Sequence, residues 1–325
     1  GETEALRGGP PVMALLVQNT NPACVAPDQE KVKRGLARDD LFTVVHEHFL
    51  TDTAAYADVV LPATMFHEHD DLYQGGGHQH VMPGAKACEA PGECRSNHDF
   101  LSALARRVGA RHPGFDMSPR ELADWTLRKS GHGTLDELEA KRWLDVQPDF
   151  RAAHFLDGFG HADGKFHFLA DWASTPFSHE GPLGPFGGLP TLPDHWPVTE
   201  ETDAERPYKL ATSPARSFLN SSFNQTPGSA AREGGGPSVL IHADDAAGIG
   251  VEDGGRIALS NRRGAVTLRA KVSERVPRGT LVSEGLWPNS AFEDGRGINT
   301  LTGDDAPAPF GGDPVHDIAV AARPA

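Results

Sequence analysis

The first hundred residues alternate short apolar runs with stretches of helical spacing. Continuous apolar runs of strand length occur at 12–17, 41–45 and 58–62, and helical patterns occupy 28–37 and 51–56. A strand–helix–strand order at this spacing predicts right-handed crossovers between parallel strands. We therefore expect a partial parallel sheet of Rossmann-like type at the start of the chain.

The middle of the chain is patterned as helices and loops. Apolar residues recur at helical spacing over 97–108, where Gly109 is the expected stop, and again over 119–129 and 135–142. Residues 181–197 are rich in Gly and Pro, which predicts a linker or surface loop. This region is expected to connect two differently built domains.

From residue 207 onward the pattern alternates. Residues 256–260 and 265–272 switch between apolar and polar side chains, as half-buried strands do, and residues 261–264 (NRRG) between them have hairpin-turn chemistry. Repeated short strands with Gly and Asp turns predict a closed or nearly closed β-barrel. The chain thus divides into a partial α/β domain (1–125), a helical and irregular connection with a linker (126–205) and a barrel domain (206–325).

Composition limits the class of protein. The chain has 325 residues, of which 38% are hydrophobic and 23% charged, and its formal net charge is -15. Without a basic stripe, this acidic balance argues against a nucleic-acid partner. No stretch approaches about 18 uncharged apolar residues, so no membrane span is expected. The three cysteines include no CxxC pair, which argues against a disulfide framework or a metal site made by this chain alone. We expect a reducing, cytoplasmic location, with any export signal lying upstream of residue 1.

Polar residues follow the predicted strands of the α/β part. In open α/β sheets, ligands bind outside the carboxyl ends of the strands. This rule points to Asn19, Thr20 and Asn21 after the first strand and to His46 and Glu47 after the second. Asn amides there can bond a nucleotide's phosphates or base. The two asparagines are equally suited to shaping a turn, and both interpretations stay open.

A second polar set follows the first strand of the predicted barrel. Its members are Thr212, Ser213, Pro214, Ala215 and Arg216, followed by Asn220 and Ser221. Hydroxyls, amides and one guanidinium can grip a phosphate or a pterin ring edge, although an ordinary polar loop has the same composition. The chain has no GxGxxG, GKS/T or GxSxG motif. The sequence therefore gives no support for Rossmann-type NAD binding, for P-loop chemistry or for α/β-hydrolase chemistry.

Histidines cluster in residues 66–71 (FHEHDD) and 76–80 (GGHQH). The chain has 16 histidines, so such clusters arise easily by chance, and the sequence identifies no third metal ligand. We therefore predict no metal site here and a solvated polar loop near a cofactor.

Three stretches together resemble a known enzyme superfamily. Residues 15–71 contain an apolar strand, an Asn-Pro step and TDTAAYADVVLP, and residues 92–98 (GECRSNH) precede a helix. The tail contains LATSPARSFLNSSFNQ, Trp287 and residues 299–302 (NTLT). In this order they resemble the molybdopterin oxidoreductase superfamily, which includes dimethyl sulfoxide reductase, nitrate reductases and formate dehydrogenases. The tail is similar to its molybdopterin-dinucleotide-binding domain.

The resemblance implies a fold and a cofactor. Members have four domains around two molybdopterin guanine dinucleotides and one molybdenum or tungsten atom. This chain is expected to be the C-terminal portion, with part of the third domain and the whole of the fourth, which in the family is a double-psi β-barrel. The motifs place cofactor contacts of the third domain at Asn19, Thr20, Asn21, His46, Glu47, His69 and Asn97. They place those of the fourth domain at Thr212, Ser213, Pro214, Ala215, Arg216, Asn220, Ser221 and Asn299.

The chain departs from the family at some of these positions. Many members have Ser-Asp where this chain has His46 and Glu47, and Thr-Gly-Arg where it has residues 212–214 (TSP). None of its three cysteines matches the family's metal ligand or iron–sulfur cysteines. The resemblance therefore implies that the metal ligand and a 4Fe-4S cluster belong to a missing N-terminal part, and no catalytic residue is predicted here.

The resulting functional hypothesis is an enzyme fragment that is inactive alone. The complete protein is expected to carry out two-electron redox chemistry on an unidentified small-molecule substrate with Mo-bis(molybdopterin guanine dinucleotide). Its expected partners are the N-terminal part of the same enzyme and, as a further candidate, an electron-transfer subunit. The alternative is a non-catalytic cofactor-binding or structural module of an electron-transfer complex. Metal analysis of the full-length protein distinguishes the two.

Overall fold

The computed structural model describes residues 10–169, 171–172, 186, 189–192, 194, 200–305, 312, 315–316 and 318–325. Most of the linker predicted at 181–197 lies outside these residues. Contacts divide the chain into two compact units. Unit 1 comprises Gly1–Val44, Leu50–Asp58 and Phe168–Ala325, and unit 2 comprises Val45–Phe49 and Val59–His167. The predicted domain borders near residues 125 and 205 do not coincide with these unit borders, and they stay a prediction.

A small parallel sheet gives the mixed α/β architecture expected for the start of the chain. Its strands are β1 (Ala14–Gln18), β2 (Phe42–Glu47) and β3 (Val59–Pro62), in that order. The observed strands lie within two residues of the predicted apolar runs, although β3 has no buried residue.

Two helices connect β1 to β2, where the sequence predicts one. They are α1 (Pro22–Val25) and α2 (Gln29–Leu36). The pattern predicts α2 at 28–37 but does not predict α1. Helix α1 is stabilised by Pro22 in its first turn, where the fixed φ of proline suits a helix, and by a bond from Ala23 N to Thr53 Oγ1 at 3.0 Å. The helix predicted over 51–56 is only a 3₁₀ turn, Ala54–Tyr56.

Unit 2 contains an antiparallel sheet that the sequence analysis missed. Its strands are β4 (Asp71–Gln74), β5 (His80–Gly84) and β6 (Leu144–Asp145), with β5 in the centre. The polar loops predicted at 66–71 and 76–80 each precede a strand of this hairpin, and only their last residues, Asp71 and His80, lie in its strands. The hairpin forms because Leu72 and Val81 pack against a buried cluster of residues from two later helices.

Three helices of unit 2 follow the sequence prediction closely: α3 (Asn97–Val108), α4 (Pro119–Lys129) and α5 (Leu135–Lys141). The short α6 (Phe150–Ala153) was not predicted. Ser96 caps α3 by accepting a bond from Asp99 N, and Gly109 ends it with a φ of 76°. Capping boxes start α4 at Ser118 and α5 at Thr134. These signals are local, which is why the sequence alone reveals them.

The predicted closed barrel is confirmed, and it lies in unit 1. Its strands are β7 (Tyr208–Ser213), β8 (Ser238–Ile241), β9 (Arg256–Asn261), β10 (Gly264–Val272), β11 (Thr280–Glu284) and β12 (Ile318–Pro324). They close in the order β10-β8-β11-β7-β12-β9, and the helices α7 (Pro227–Arg232) and α8 (Ala243–Ile249) lie between strands along the chain. Its buried core is mostly aliphatic, with Leu210, Ile241, Ile257, Leu259 and Leu281 at its centre, and it also contains Phe218, Trp287 and Phe292. Within the described part of the chain, no helix has the length and apolar character needed to cross a membrane.

Candidate functional site

The residues after β1 are organised around a buried asparagine. Asn21, which is 1% exposed, accepts bonds at Oδ1 from Thr53 N at 3.0 Å and from Thr53 Oγ1 at 2.7 Å. Its Nδ2 is buried and has no hydrogen-bond partner among the described residues. Asn19 and Thr20 are exposed, and Asn19 has a φ of 57°, which asparagine tolerates in turns. Asn19 therefore shapes a turn, whereas Asn21 offers a buried donor to an acceptor.

Asn299 anchors helix α1 through its side chain. Its Nδ2 donates to Cys24 O at 3.1 Å and to Val25 O at 2.9 Å, and its Oδ1 accepts from Thr302 Oγ1 at 3.2 Å. Only 2% of the residue is exposed. These bonds engage both the nitrogen and the oxygen of the amide. The geometry therefore supports a role for Asn299 in positioning helix α1.

A second pair of buried amides continues this anchor. Gln29 is fully buried, its Nε2 donates to Asn289 Oδ1 at 2.8 Å, and its Oε1 accepts from Gly297 N at 3.1 Å. Asn289 Nδ2 in turn donates to Ala23 O at 3.0 Å. Because buried polar groups are stable only when paired, these bonds hold α1 and α2 in place against the segment 289–302.

A cavity of about 260 Å³ lies at the end of β7 in unit 1. Five residues predicted from the sequence line it: Thr212, Ser213, Pro214, Asn220 and Asn299. The lining residues that the sequence analysis missed are Val25, Gly285, Leu286, Val315 and His316. The barrel therefore brings predicted residues from two distant parts of the chain to one cavity.

The cavity wall is held by close contacts. Thr212 Oγ1 donates to Val315 O at 2.6 Å and lies 3.5 Å from His316 Nδ1. Gly285 has a φ of 82°, and a Cβ at this position would lie 2.7 Å from Phe218 Cζ. Both the backbone conformation and the space therefore require glycine at this position.

The other predicted barrel residues do not line the cavity. Ala215 packs against the barrel core, Arg216 is exposed and Ser221 is half-buried. Ala215 thus has a packing role that is visible in the structure, whereas ligand contacts of Arg216 and Ser221 stay predictions.

His46 at the end of β2 is enclosed within unit 2. Its ring is fully buried and stacks on Phe100 with the ring centroids 4.8 Å apart, and its Nε2 lies 3.1 Å from Arg95 O. Burial lowers the pKa of the His46 imidazole, and its contacts to backbone carbonyls only partly oppose this effect. His46 is thus a neutral, packed histidine. Its neighbour Glu47 is half-buried and accepts a bond from His48 N at 2.7 Å.

His69 and Asn97 share a cavity of about 300 Å³ in unit 2. Asn97 is the first residue of α3, and His69 Nδ1 lies 2.8 Å from Thr64 Oγ1. The cavity also has polar lining residues that the sequence did not single out as site residues: Asp70, Asp71, Ser96 and His98. Its apolar wall comes from Leu72 and from α4. The structure thus brings these two predicted residues together in a mixed polar and apolar site.

Two segments of the chain match known protein families. Residues 5–107 match the family model described as Molybdopterin oxidoreductase, and residues 208–319 match the model described as Molydopterin dinucleotide binding domain. The chain belongs to the molybdopterin oxidoreductase family. All residues that line the cavity at the end of β7 lie in the segment matched by the dinucleotide-binding model, except Val25, which lies in the segment of the other model.

Individual relatives agree with the family assignment. The chain is 34% identical over 307 residues to "Probable oxidoreductase YoaE" of Bacillus subtilis (strain 168). This alignment covers 92% of this chain and 42% of the relative. It is 27% identical to the dimethyl sulfoxide/trimethylamine N-oxide reductase of Rhodobacter capsulatus, over 87% of this chain and 38% of the relative. The solved structure of acetylene hydratase from Pelobacter acetylenicus matches its fold with a TM-score of 0.78 at 22% identity, over 99% of this chain and 45% of that one. This molybdopterin oxidoreductase chain thus spans about two fifths of the length of such curated relatives.

Proposed function

We propose that this chain is the cofactor-holding C-terminal part of an enzyme that carries out two-electron redox chemistry on a small molecule. The proposed cofactor is Mo-bis(molybdopterin guanine dinucleotide). When bound, it supplies the redox chemistry, while the protein supplies binding, orientation and electrostatics. The metal ligand and a 4Fe-4S cluster are proposed to belong to a further part of the same protein, and an electron-transfer subunit is the proposed partner.

The observation that carries this proposal is the cavity at the end of β7. The Ser213 hydroxyl and the Asn220 amide line it and offer both donors and acceptors, as the polar edge of a pterin or guanine ring requires. Its volume of about 260 Å³ is close to the lower end of the range for small-molecule sites, so it suits one portion of a dinucleotide. The close-packed wall at Gly285 leaves this cavity with a defined shape.

A second feature of unit 1 fits the same cofactor. The Asn21 Nδ2 group is a buried donor without a partner among the described residues. Leaving such a group unpaired costs about 1–3 kcal/mol. Phosphate oxygens and pterin carbonyl groups are acceptors, so a bound cofactor would recover this cost by accepting a bond from Asn21.

Two finer assignments belong to the same proposal. In unit 2, we assign cofactor contacts to His69 and Asn97, because they line one cavity. For the barrel, we assign the double-psi type. The parallel pairs β8–β10 and β7–β11 within a closed six-stranded barrel support this assignment.

The test is the cofactor content of the full-length protein. The double variant Ser213→Ala/Asn220→Ala should lose hydrogen bonds worth about 1–3 kcal/mol, which weakens cofactor binding about 5- to 150-fold. Molybdenum and the guanine nucleotide released by acid are measured at limiting cofactor. The matched control is Ser222→Ala, an exposed serine outside the cavity lining. Equal content in all variants would contradict the site, and wild-type protein without molybdenum would favour the non-catalytic module.

A further inference from the structure

Three side chains that can bind a metal ion converge beyond the open end of the β4–β5 hairpin. The imidazole of His67, the carboxylate of Glu68 and the thiol of Cys88 place their ligand atoms within 4.8 Å of one another. We propose that these residues bind a divalent transition-metal ion, with Zn²⁺ as the best match. The molybdopterin cofactor proposal assigns no role to any of them.

The main chain holds the contributing segments together. The last residue pair of the hairpin ladder is Asp71 with Gly84. Beyond it, Ala87 N donates to His67 O at 2.8 Å and Cys88 N donates to the same oxygen at 3.2 Å. Cys88 Sγ lies 3.8 Å from this oxygen as well. The fold itself therefore brings the cysteine next to the histidine, although 21 positions separate them in the sequence.

Neighbouring groups also orient the side chains of His67 and Glu68. Glu68 Oε2 accepts from Met65 N at 2.9 Å, and Glu68 N donates to Met65 O at 2.9 Å. The His67 ring meets the Phe66 ring edge-on, with the centroids 5.1 Å apart. A ligand that is already oriented loses less side-chain entropy when it binds, so these contacts favour metal binding.

The observed spacing is close to that of a bound zinc ion. Zinc bonds of about 2.0–2.3 Å in tetrahedral geometry separate the ligand atoms by roughly 3.3–3.7 Å. The three side chains therefore need to approach by roughly 1 Å. His67 and Cys88 are exposed and Glu68 is half-buried, so small side-chain rotations can supply this movement without disturbing a core.

The chemistry of the ligand set selects the metal. Calcium and magnesium prefer sites made of oxygen ligands alone. Zinc accepts sulfur, nitrogen and oxygen ligands alike, and three protein ligands leave a fourth position for water or an outside ligand. The histidine run in the sequence contains no identifiable third ligand, and for this reason no metal site is predicted there; the fold brings Cys88 to this position as that ligand.

The experiment is competitive equilibrium dialysis of the 325-residue chain with Zn²⁺ as the probe. Wild-type protein should bind about one zinc ion per chain in competition with a chelator. Cys88→Ser and His67→Ala should each weaken binding by at least about 10- to 100-fold, because each removes a direct ligand. Cys94→Ser and His78→Ala are matched controls outside the cluster and should bind zinc as the wild type does. Undiminished binding by Cys88→Ser, or wild-type protein that binds no zinc, would overturn the proposal.

A second measurement needs no ligand variant and is therefore independent of folding defects. Zn²⁺ should slow the alkylation of Cys88 in wild-type protein at least about tenfold, because a metal-bound sulfur is not free to react. Mass spectrometry of the alkylated peptides reports Cys88 and Cys94 separately. Equal rates of Cys88 alkylation with and without Zn²⁺ would refute the site, and equal slowing of Cys94 would show that binding is not specific.

Discussion

Replacing Gln29 with alanine should release helices α1 and α2 from the segment 289–302. The change removes the bonds to Asn289 Oδ1 at 2.8 Å and from Gly297 N at 3.1 Å, and it leaves both buried partners unpaired. Each unpaired buried group costs about 1–3 kcal/mol. Water that enters the vacated space pairs again with part of these groups, so we expect a loss of about 2–4 kcal/mol.

The thiol of Cys24 reports this release. Cys24 is 2% exposed, and its Sγ donates to Trp287 O at 3.5 Å. Burial and then the charge of Asp52 raise the pKa of Cys24 to about 12, so the thiol does not react while it is enclosed. Alkylation of Cys24 must then proceed through opening. A loss of about 2–4 kcal/mol speeds this alkylation roughly 30- to 700-fold. Mass spectrometry distinguishes Cys24 from Cys88 and Cys94.

The control for this experiment lies on the same helix. Arg34 is exposed on α2, and Arg34→Ala should change the opening free energy by less than about 0.5 kcal/mol. The double variant Gln29→Ala/Asn289→Ala should lose less than the sum of the single changes, because the two amides pair with each other. The reasoning is refuted if Gln29→Ala keeps its circular-dichroism spectrum and Cys24 reacts less than about threefold faster.

Three further predictions follow from single contacts. Partial burial tends to raise the pKa of the Glu200 carboxyl. The hydrogen bond and the charge of Arg263 outweigh this effect and lower the pKa below its usual 4.5. The ionised Glu200 therefore stabilises the fold above about pH 4.5, and this stabilisation is lost as the pH falls through the folded-state pKa. On acidification, the urea midpoint of Glu200→Gln should fall less than that of the wild type. Burial lowers the pKa of His46 below 6.5, so unit 2 should lose stability as the pH falls below that value. Amide hydrogen exchange of residues 95–100 should then become faster in the wild type but not in His46→Gln. Gly285→Ala should lower the free energy of unfolding by about 1–3 kcal/mol in urea titrations, and an unchanged value would contradict the clash with Phe218.

The elements predicted correctly are those whose signals lie within a few residues of one another. Helix α3 has its cap at Ser96 and its terminating Gly109, and the strands β9 and β10 alternate on either side of a tight turn. The β4–β5 hairpin has no comparable local signal. Its strands of four and five residues lack a regular alternation of apolar and polar side chains, and it forms because Leu72 and Val81 pack against α4 and α5, which come later in the chain. Helix α1 was missed for the same reason, since its contact with Thr53 comes from 30 residues away.

For the site, the sequence by itself determined the family, the two regions that carry polar residues and the types of those residues. Only the tertiary structure decided what each side chain does. Asn21 and Asn299 both lie in polar segments. Asn21 keeps a buried donor that has no partner among the described residues, whereas Asn299 donates to two carbonyl groups of α1 and accepts from Thr302. Likewise, His46 is enclosed under Phe100, whereas His67 lies exposed beside a cysteine 21 positions away. The physical reason is that burial and hydrogen-bond partners depend on segments far apart in the chain, which a local pattern of residue types does not encode.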